Sequence, residues 1–404
     1  MLDILFYNGA ILAETGMLEK GYVAIGAGKI QAMGEGDPPP PLETMRQIDL
    51  KGRYLSPGFI ELHTHGGGGH DFMDGTAEAI KKAARLHLYH GVTTLCPTSM
   101  ACYDAVLYRM LDAYLEAKEE KDNMPHLAGI HLEGPYFSPA QAGAQPPDCM
   151  TKPFPHHAQG ILDRAGENIA RWSCAPEVEG VLELGDALRE KGIIAAIAHT
   201  DADCTLIERA MEHGFTHLTH FYSGMSGLKR VNGMRVLGAV EAGYLYDALT
   251  LEIIADGIHL PPRLLRLILK CKPHKSISLI TDSMRSAGMP DGPSILGSLE
   301  NNFQVIVEDG VAKMPDRQSY AGSVATADRL IRVMQQDGGI SLFEAVTMMT
   351  QNPARLLGIG EHTGSIAVGK EADLIIFDEN VHVISSFVSG KEVEREDKNE
   401  DSCI

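Results

Sequence analysis

Two histidines one residue apart, His63 and His65, close the apolar run Phe59-Ile60-Glu61-Leu62 just before four successive glycines. Further along, other apolar runs end in residues of the same chemical kind: Glu133 after "LAGIHL", His199 after "IIAAIA", His220 after "THLT" and Asp282 after "SISLIT". Imidazole nitrogens and carboxylate oxygens are ligands for zinc, iron or manganese, and no thiolate accompanies them to narrow the choice. Positions i and i+2 of a strand face the same way, so His63 and His65 can point into one space. Each residue also has a plainer reading. His199 can be a hydrogen-bonded core histidine, Glu133 a turn cap before Gly134-Pro135, and Asp282 a helix cap. What favours a joint site is that separate runs each end in a possible ligand. Burying such groups without partners costs about 1–3 kcal/mol each, and one cation would satisfy them together. Gly66 to Gly69 would let the next loop pass close to a substrate, or simply form a turn.

Those runs must be held by a scaffold. "FIELHTH", "VTTLCPTS", "LAGIHLEG", "ARWSCAPE", "IIAAIAHT", "THLTHFYS", "LTLEIIADG" and "SISLITDS" read as buried strands. Most are separated by segments with apolar residues three and four apart, such as "TAEAIKKAARLHLYH" and "ADCTLIERAMEHG". Strands alternating with helices predict a (β/α)8 TIM-like barrel over residues 55–359, with active residues at the C-terminal strand ends. His87 and His90 fall on a helical segment and read as surface or interhelix residues. Residues 1–54 and 360–392 carry strand-and-turn patterns instead, and both ends are expected to pair in one small β-sandwich domain. The charged stretch 393–404 reads as a disordered tail.

Composition narrows the function classes. The chain has 404 residues, 44% hydrophobic and 22% charged, with a formal net charge of −19. That acidity argues against nucleic acid as a partner. No apolar run is long enough for a membrane helix, and the first residues have no basic segment of a signal peptide. Seven scattered cysteines with no C-x-x-C pair suit a reduced, cytoplasmic protein. An anionic small molecule would need a local cationic pocket, for which Lys229, Arg230 and Arg235 are candidates.

The chain resembles the amidohydrolase superfamily and, within it, the N-acetylglucosamine-6-phosphate deacetylases. The likeness spans nearly the whole sequence. It rests on "PGFIELHTHGGGGHDFMDG", "HLEGPYFSPAQAGAQ", "APE" at 175–177, "AHTDAD", "THLTHFYSGMS", "ADGIHL", "TDSMRSAGMPDG" and "AGS" at 321–323. Related cyclic-amide hydrolases use a modified lysine on the fourth strand; "ARWSCAPE" has none, and Glu133 takes that place.

The resemblance implies one metal at Glu133, His199 and His220, and the presence of His63 and His65 makes room for a second. It implies Asp282 as the catalytic aspartate. Substrate contacts would come from His259, Ala144, Gln145, Ser223, Gly224 and the segment 320–323, with Ala321, Gly322 and Ser323. It also implies a homodimer in which a neighbouring subunit helps to bind phosphate. The expected reaction is hydrolysis of N-acetylglucosamine 6-phosphate to glucosamine 6-phosphate and acetate.

Departures fall on sugar and phosphate recognition. Ser223-Gly224-Met225 replaces the familiar Asn-Ala-Met, Gln145 stands where histidine is frequent, and "LKRVNGMR" replaces His-Arg-Glu-Pro-Gly. Arg230 and Arg235 are both left as phosphate ligands. Alternatives are deacetylation of another N-acyl amino sugar such as N-acetylgalactosamine 6-phosphate, cyclic-amide hydrolysis, and a non-catalytic sugar-phosphate-binding protein.

Overall fold

The computed structural model describes residues 2–38, 45–120, 123–153, 156–300 and 302–395. At the N-terminal end lie β1 (Ile4–Ala13), β2 (Gly16–Gly26), β3 (Lys29–Glu35), β4 (Arg46–Asp49) and β5 (Tyr54–Pro57). The barrel strands follow: β6 (Phe59–Thr64), β7 (Val92–Pro97), β8 (Ile130–Glu133), β9 (Ile169–Cys174), β10 (Ile194–Ile197), β11 (Phe215–Leu218), β12 (Thr250–Ile254) and β13 (Ile277–Ile280).

All the barrel pairings are parallel, and β8 through β13 form one continuous run. β6 pairs with β7, and a parallel bridge from Thr98 to His131 joins this pair to β8. The circle closes where the Asp282 N–H donates to the His63 carbonyl at 2.9 Å. Their outward side chains pack under the helices, so apolar residues recur along every strand and mark it in the sequence, while inward positions carry polar residues such as His131, Arg171 and Glu252.

Helices pack around this ring. α1 (Ala77–Tyr89) is capped by Thr76, whose hydroxyl accepts from the Ala79 N–H, and it buries Ile80, Ala83, Ala84 and Leu88. The barrel core joins the inner faces of such helices, including Met110, Leu188, Ile207, Leu265 and Leu330, to the outward side chains of the strands.

Strands from the chain's two ends are hydrogen-bonded into one eight-stranded sheet. Leu374–Phe377 runs antiparallel against β5, with Leu374 opposite Pro57 and Phe377 opposite Tyr54. A second core draws on both ends: Phe6, Ile11, Val23 and Leu55 pack with Ile366, Leu374, Ile376 and Phe387. Residues 393–395 continue from this sheet; the Val393 N–H donates to Ser386 and the Glu394 N–H to the Asn123 side chain. The rest of the expected tail, 396–404, lies outside the described residues.

Beyond β13 stands an element the sequence reading did not separate from the barrel. Gly292–Gly297, Asn302–Glu308, Val311–Lys313 and Tyr320–Ser323 form a four-stranded antiparallel sheet. Its Asp309-Gly310 turn, with both φ angles positive (56° and 75°), is the Asp-Gly hairpin signal that was available in the sequence.

The four glycines also resolve. Gly66 and Gly67 pair with Asp71 and His70 across a turn in which Gly68 and Gly69 have positive φ. A Cβ on Gly66 would lie 2.2 Å from the His70 carbonyl oxygen. They form a tight hairpin, and none lines the cavity at the barrel mouth.

Candidate metal centre and cavity

The barrel mouth brings together His63, His65, Glu133, His199, His220 and Asp282. His199, His220 and Asp282 each come two residues after their strand ends. All three have positive φ, at 45°, 30° and 46°. Such backbone costs of order 1–3 kcal/mol per non-glycine residue, and it persists where surrounding structure enforces it, characteristically at functional sites. Here it turns the side chain at the strand's end over the ring's mouth. Gly224 makes the matching space: a Cβ there would meet His199 Nδ1 at 2.9 Å.

Glu133 is the hub. Its Oε1 lies 3.0 Å from His220 Nε2, 3.4 Å from His199 Nε2 and 3.5 Å from His63 Nε2. Its Oε2 lies 3.4 Å from His65 Nε2. Asp282 Oδ1 stands 3.3 Å from His63 Nε2 and 3.2 Å from His65 Nε2. Two ligand groups therefore share Glu133: His63 with His65, and His199 with His220.

The donor set fits divalent ions. Ligands about 2.1 Å from a tetrahedral ion stand about 3.4 Å from each other, the spacing seen here. Nε2 of His63 faces Nε2 of His65 at 3.4 Å, and Nε2 of His199 faces that of His220 at 3.2 Å. Two imidazole lone pairs do not face each other without something positive between them, either a proton or a metal ion.

The charge balance says the same. Burial would raise the Glu133 carboxyl, but His63, His199, His220 and His65 together hold it well below the usual carboxylate range. Burial would lower His65, yet Asp282, Glu133 and Asp71 push it up to about 9. The cluster attracts positive charge.

These residues floor a cavity of about 240 Å³. His65, Glu133, His199, His220 and Asp282 line it, as do Ala144, Gln145, Ser223, Gly224, His259 and Gly322. Gln145 is turned to the centre: its Nε2 donates to Glu133 Oε2 at 2.6 Å, while its Oε1 accepts from the Ala101 N–H at 2.8 Å. His259 Nδ1 is 2.7 Å from Asp256 Oδ2. Ala321 is buried in the core of the antiparallel sheet. Ser323 braces Asp282 through its backbone N–H, which donates to the Asp282 carbonyl at 2.9 Å. Arg230 does not line the cavity; it lies on an exposed hairpin, Lys229–Val231 with Met234–Val236, directly opposite Arg235.

Several supporting residues escaped the sequence reading. Glu252 accepts from His63 Nδ1 at 2.9 Å and is bridged by Arg171. His87 is fully buried, its Nε2 3.0 Å from both the Gly66 carbonyl and the Thr64 hydroxyl, rather than at a surface. Leu296 reaches the cavity from the antiparallel sheet, beside Tyr320 of the expected 320–323 segment. The signal for Glu252 was present: a lone carboxylate inside "LTLEIIADG".

A family model described as the amidohydrolase family matches residues 54–393. The chain belongs to the amidohydrolase family. Among this family's members, N-acetylglucosamine-6-phosphate deacetylase of Bacillus subtilis is 31% identical over 391 residues, covering 96% of each chain. N-acetylgalactosamine-6-phosphate deacetylase of Escherichia coli O157:H7 is also 31% identical, over 94% of this chain and 97% of the relative. A solved mutant N-acetyl-D-glucosamine-6-phosphate deacetylase from Mycobacterium smegmatis, in complex with N-acetyl-D-glucosamine-6-phosphate, superimposes with a TM-score of 0.88 at 30% identity. That match covers 96% of this chain and 99% of the other. Amidohydrolases are hydrolytic enzymes of which a divalent metal is characteristic, in agreement with the donor set at the barrel mouth.

Proposed function

We propose that this amidohydrolase removes the acetyl group from N-acetylglucosamine 6-phosphate, giving glucosamine 6-phosphate and acetate. The observation that carries the reading is Asp282 beside a Glu133-centred ligand cluster at the floor of the cavity. Glu133, His199 and His220 would hold one ion, and His63, His65 and Glu133 a second. Zinc, iron and manganese all suit these ligands. When bound, such an ion makes water nucleophilic near neutral pH and polarises a carbonyl oxygen.

Asp282 then acts as the proton carrier. Burial would raise its carboxyl, but His63 and His65 lower it below the usual carboxylate range, which keeps it ionised and able to accept a proton. It takes a proton from the attacking water as the C–O bond forms. It returns that proton to the nitrogen as the C–N bond breaks, so an amine leaves rather than its anion. His259, held at Nδ1 by Asp256, offers Nε2 to the substrate. Ala144, Ser223, Gly224, Ala321, Gly322 and Ser323 shape the sugar's surroundings, with Gln145 acting on Glu133.

Arg230 and Arg235 support a phosphorylated substrate. Like charges directly opposed on a hairpin repel, and an anion between them relieves that repulsion. The same hairpin exposes Val231 and Met234, with Leu228 just before it. A second copy covering these apolar side chains would place the arginine hairpin in the interface, and we read the enzyme as a homodimer. Free cysteines among the described residues favour a reducing compartment such as the cytoplasm. No described helix is long and apolar enough to cross a membrane.

The test is acetate release from N-acetyl amino sugars, with and without 6-phosphate, on metal-quantified protein. N-acetylglucosamine 6-phosphate should give the highest kcat/KM. The equally similar E. coli relative makes the galactosamine epimer the comparison that matters. No release from any N-acetyl sugar, with turnover of a cyclic amide, would end the proposal.

A further inference from the structure

Below the ligand cluster the barrel interior is not apolar. His63, His131, Arg171, His217 and Glu252 are all without solvent exposure. Arg171 reaches from β9 to Glu252 on β12, gripping both carboxylate oxygens; Nη2 lies 2.8 Å from Oε1, and Nη1 contacts Oε2. Glu252 Oε1 is also 2.9 Å from His63 Nδ1. Arg171 Nη2 stands near that same nitrogen at 3.3 Å.

We infer that Glu252, held by Arg171, is a positioning residue that sets the tautomer of His63 and so permits an ion at the His63–His65 half of the centre. His63 Nδ1 faces a carboxylate, which only accepts, and a guanidinium, which only donates. The carboxylate oxygen is nearer, so Nδ1 carries the proton and Nε2 presents a lone pair to the cluster. A neutral imidazole protonated on the far nitrogen is the form that ligates a metal, and outer carboxylate partners typically change metal affinity by about 10- to 100-fold.

The second half is oriented otherwise. His199 Nδ1 donates to the Gln141 carbonyl at 2.9 Å. Glu252 meets His220 through the backbone N–H, at 3.3 Å. Loss of Glu252 should therefore weaken one ion and spare the other. The inference rests on the two-ion reading above.

Removing Glu252 alone would strand a buried guanidinium, so the pair is replaced together as Arg171→Met with Glu252→Leu. This change is neutral in net charge, which separates proton placement from a change of field. His131 loses Arg171 Nη2 but keeps Thr98 at Nδ1 and Ser173 at Nε2, and His217 loses Glu252 at Nε2 but keeps Thr250 at Nδ1. Chelator-stripped, full-length protein is titrated with Zn²⁺ and with Mn²⁺ by calorimetry, and the apo proteins are compared by thermal unfolding.

Wild type should bind two ions, and the folded double variant should hold the first normally and the second at least about tenfold more weakly. Glu252→Gln, whose carbonyl oxygen accepts the same proton, should retain most of the second affinity. It serves as the test if the double variant does not fold. A wild-type chain that takes one ion overturns the two-ion reading and this inference with it. Two ions in wild type and unchanged second-ion affinity in the double variant overturn the inference alone. So does a Glu252→Gln protein that loses the second ion outright.

Discussion

Glu133 and His220 stand 3.0 Å apart, carboxylate oxygen to ring nitrogen, though they are 87 positions apart in the chain. Glu133 ends one barrel strand, and His220 lies just past another, on a backbone with φ of 30°. Neither neighbour in sequence explains the meeting. It follows from a closed ring of parallel strands whose C-terminal ends share one mouth.

If Glu133 serves both halves of the centre, ligand substitutions will separate by stoichiometry. His199→Ala should remove the ion shared with His220, and His63→Ala the other. Glu133→Ala should remove both. Metal analysis on dialysed protein reads this directly. Equal losses from all three variants would mean that the halves are not separable.

Asp282→Asn keeps the shape and removes the proton carrier. Bound metal should persist while kcat falls by roughly 10² to 10⁴, the usual contribution of general acid–base catalysis. Wild-type turnover in this variant would exclude Asp282 from that role.

The opposed arginines give a substrate-dependent prediction. Arg230→Ala or Arg235→Ala should lower kcat/KM for a 6-phosphorylated sugar by about 10- to 100-fold, the value of a charge-assisted contact of about 1.5–3 kcal/mol. The unphosphorylated sugar should hardly respond. A parallel loss on both substrates would indicate damage to the fold or the cavity instead.

His87, which is not itself a ligand but touches Thr64 between two of them, gives a pH dependence. Burial pushes its imidazole down to about 4, against an ordinary value of 6.5. Between these values the unfolded chain binds a proton that the folded chain refuses, so stability rises with pH across this window. Neutral His87 thus costs nothing above 6.5, and folding loses on the order of 3 kcal/mol as pH falls to about 4. Denaturant midpoints from pH 4 to 7 check this. His87→Gln should flatten the slope, and an unchanged profile would place the titration elsewhere.

The sequence by itself determined the barrel strands and the residue types at their ends. Strands buried on both faces are rich in apolar residues, so a histidine or aspartate at the end of "IIAAIA" or "SISLIT" is conspicuous. It also marked both chain ends as β-structure through alternation and glycine turns, which pairing of Leu374–Phe377 with β5 then unites.

Only the tertiary structure decided how those ends meet. His63 is governed by Glu252, 189 residues away, and Glu252 by Arg171 from a third strand. His87 looked like one more polar residue on a helix until its turn placed it beneath Gly66. The antiparallel sheet contributing Tyr320 to the cavity marked only its Asp309-Gly310 turn in the sequence, and its pairing emerged from the fold. The physical reason is that apolar pattern is a local consequence of burial, whereas hydrogen-bond partners, tautomers and strained φ angles are set by strand register and ring closure, which no short segment contains.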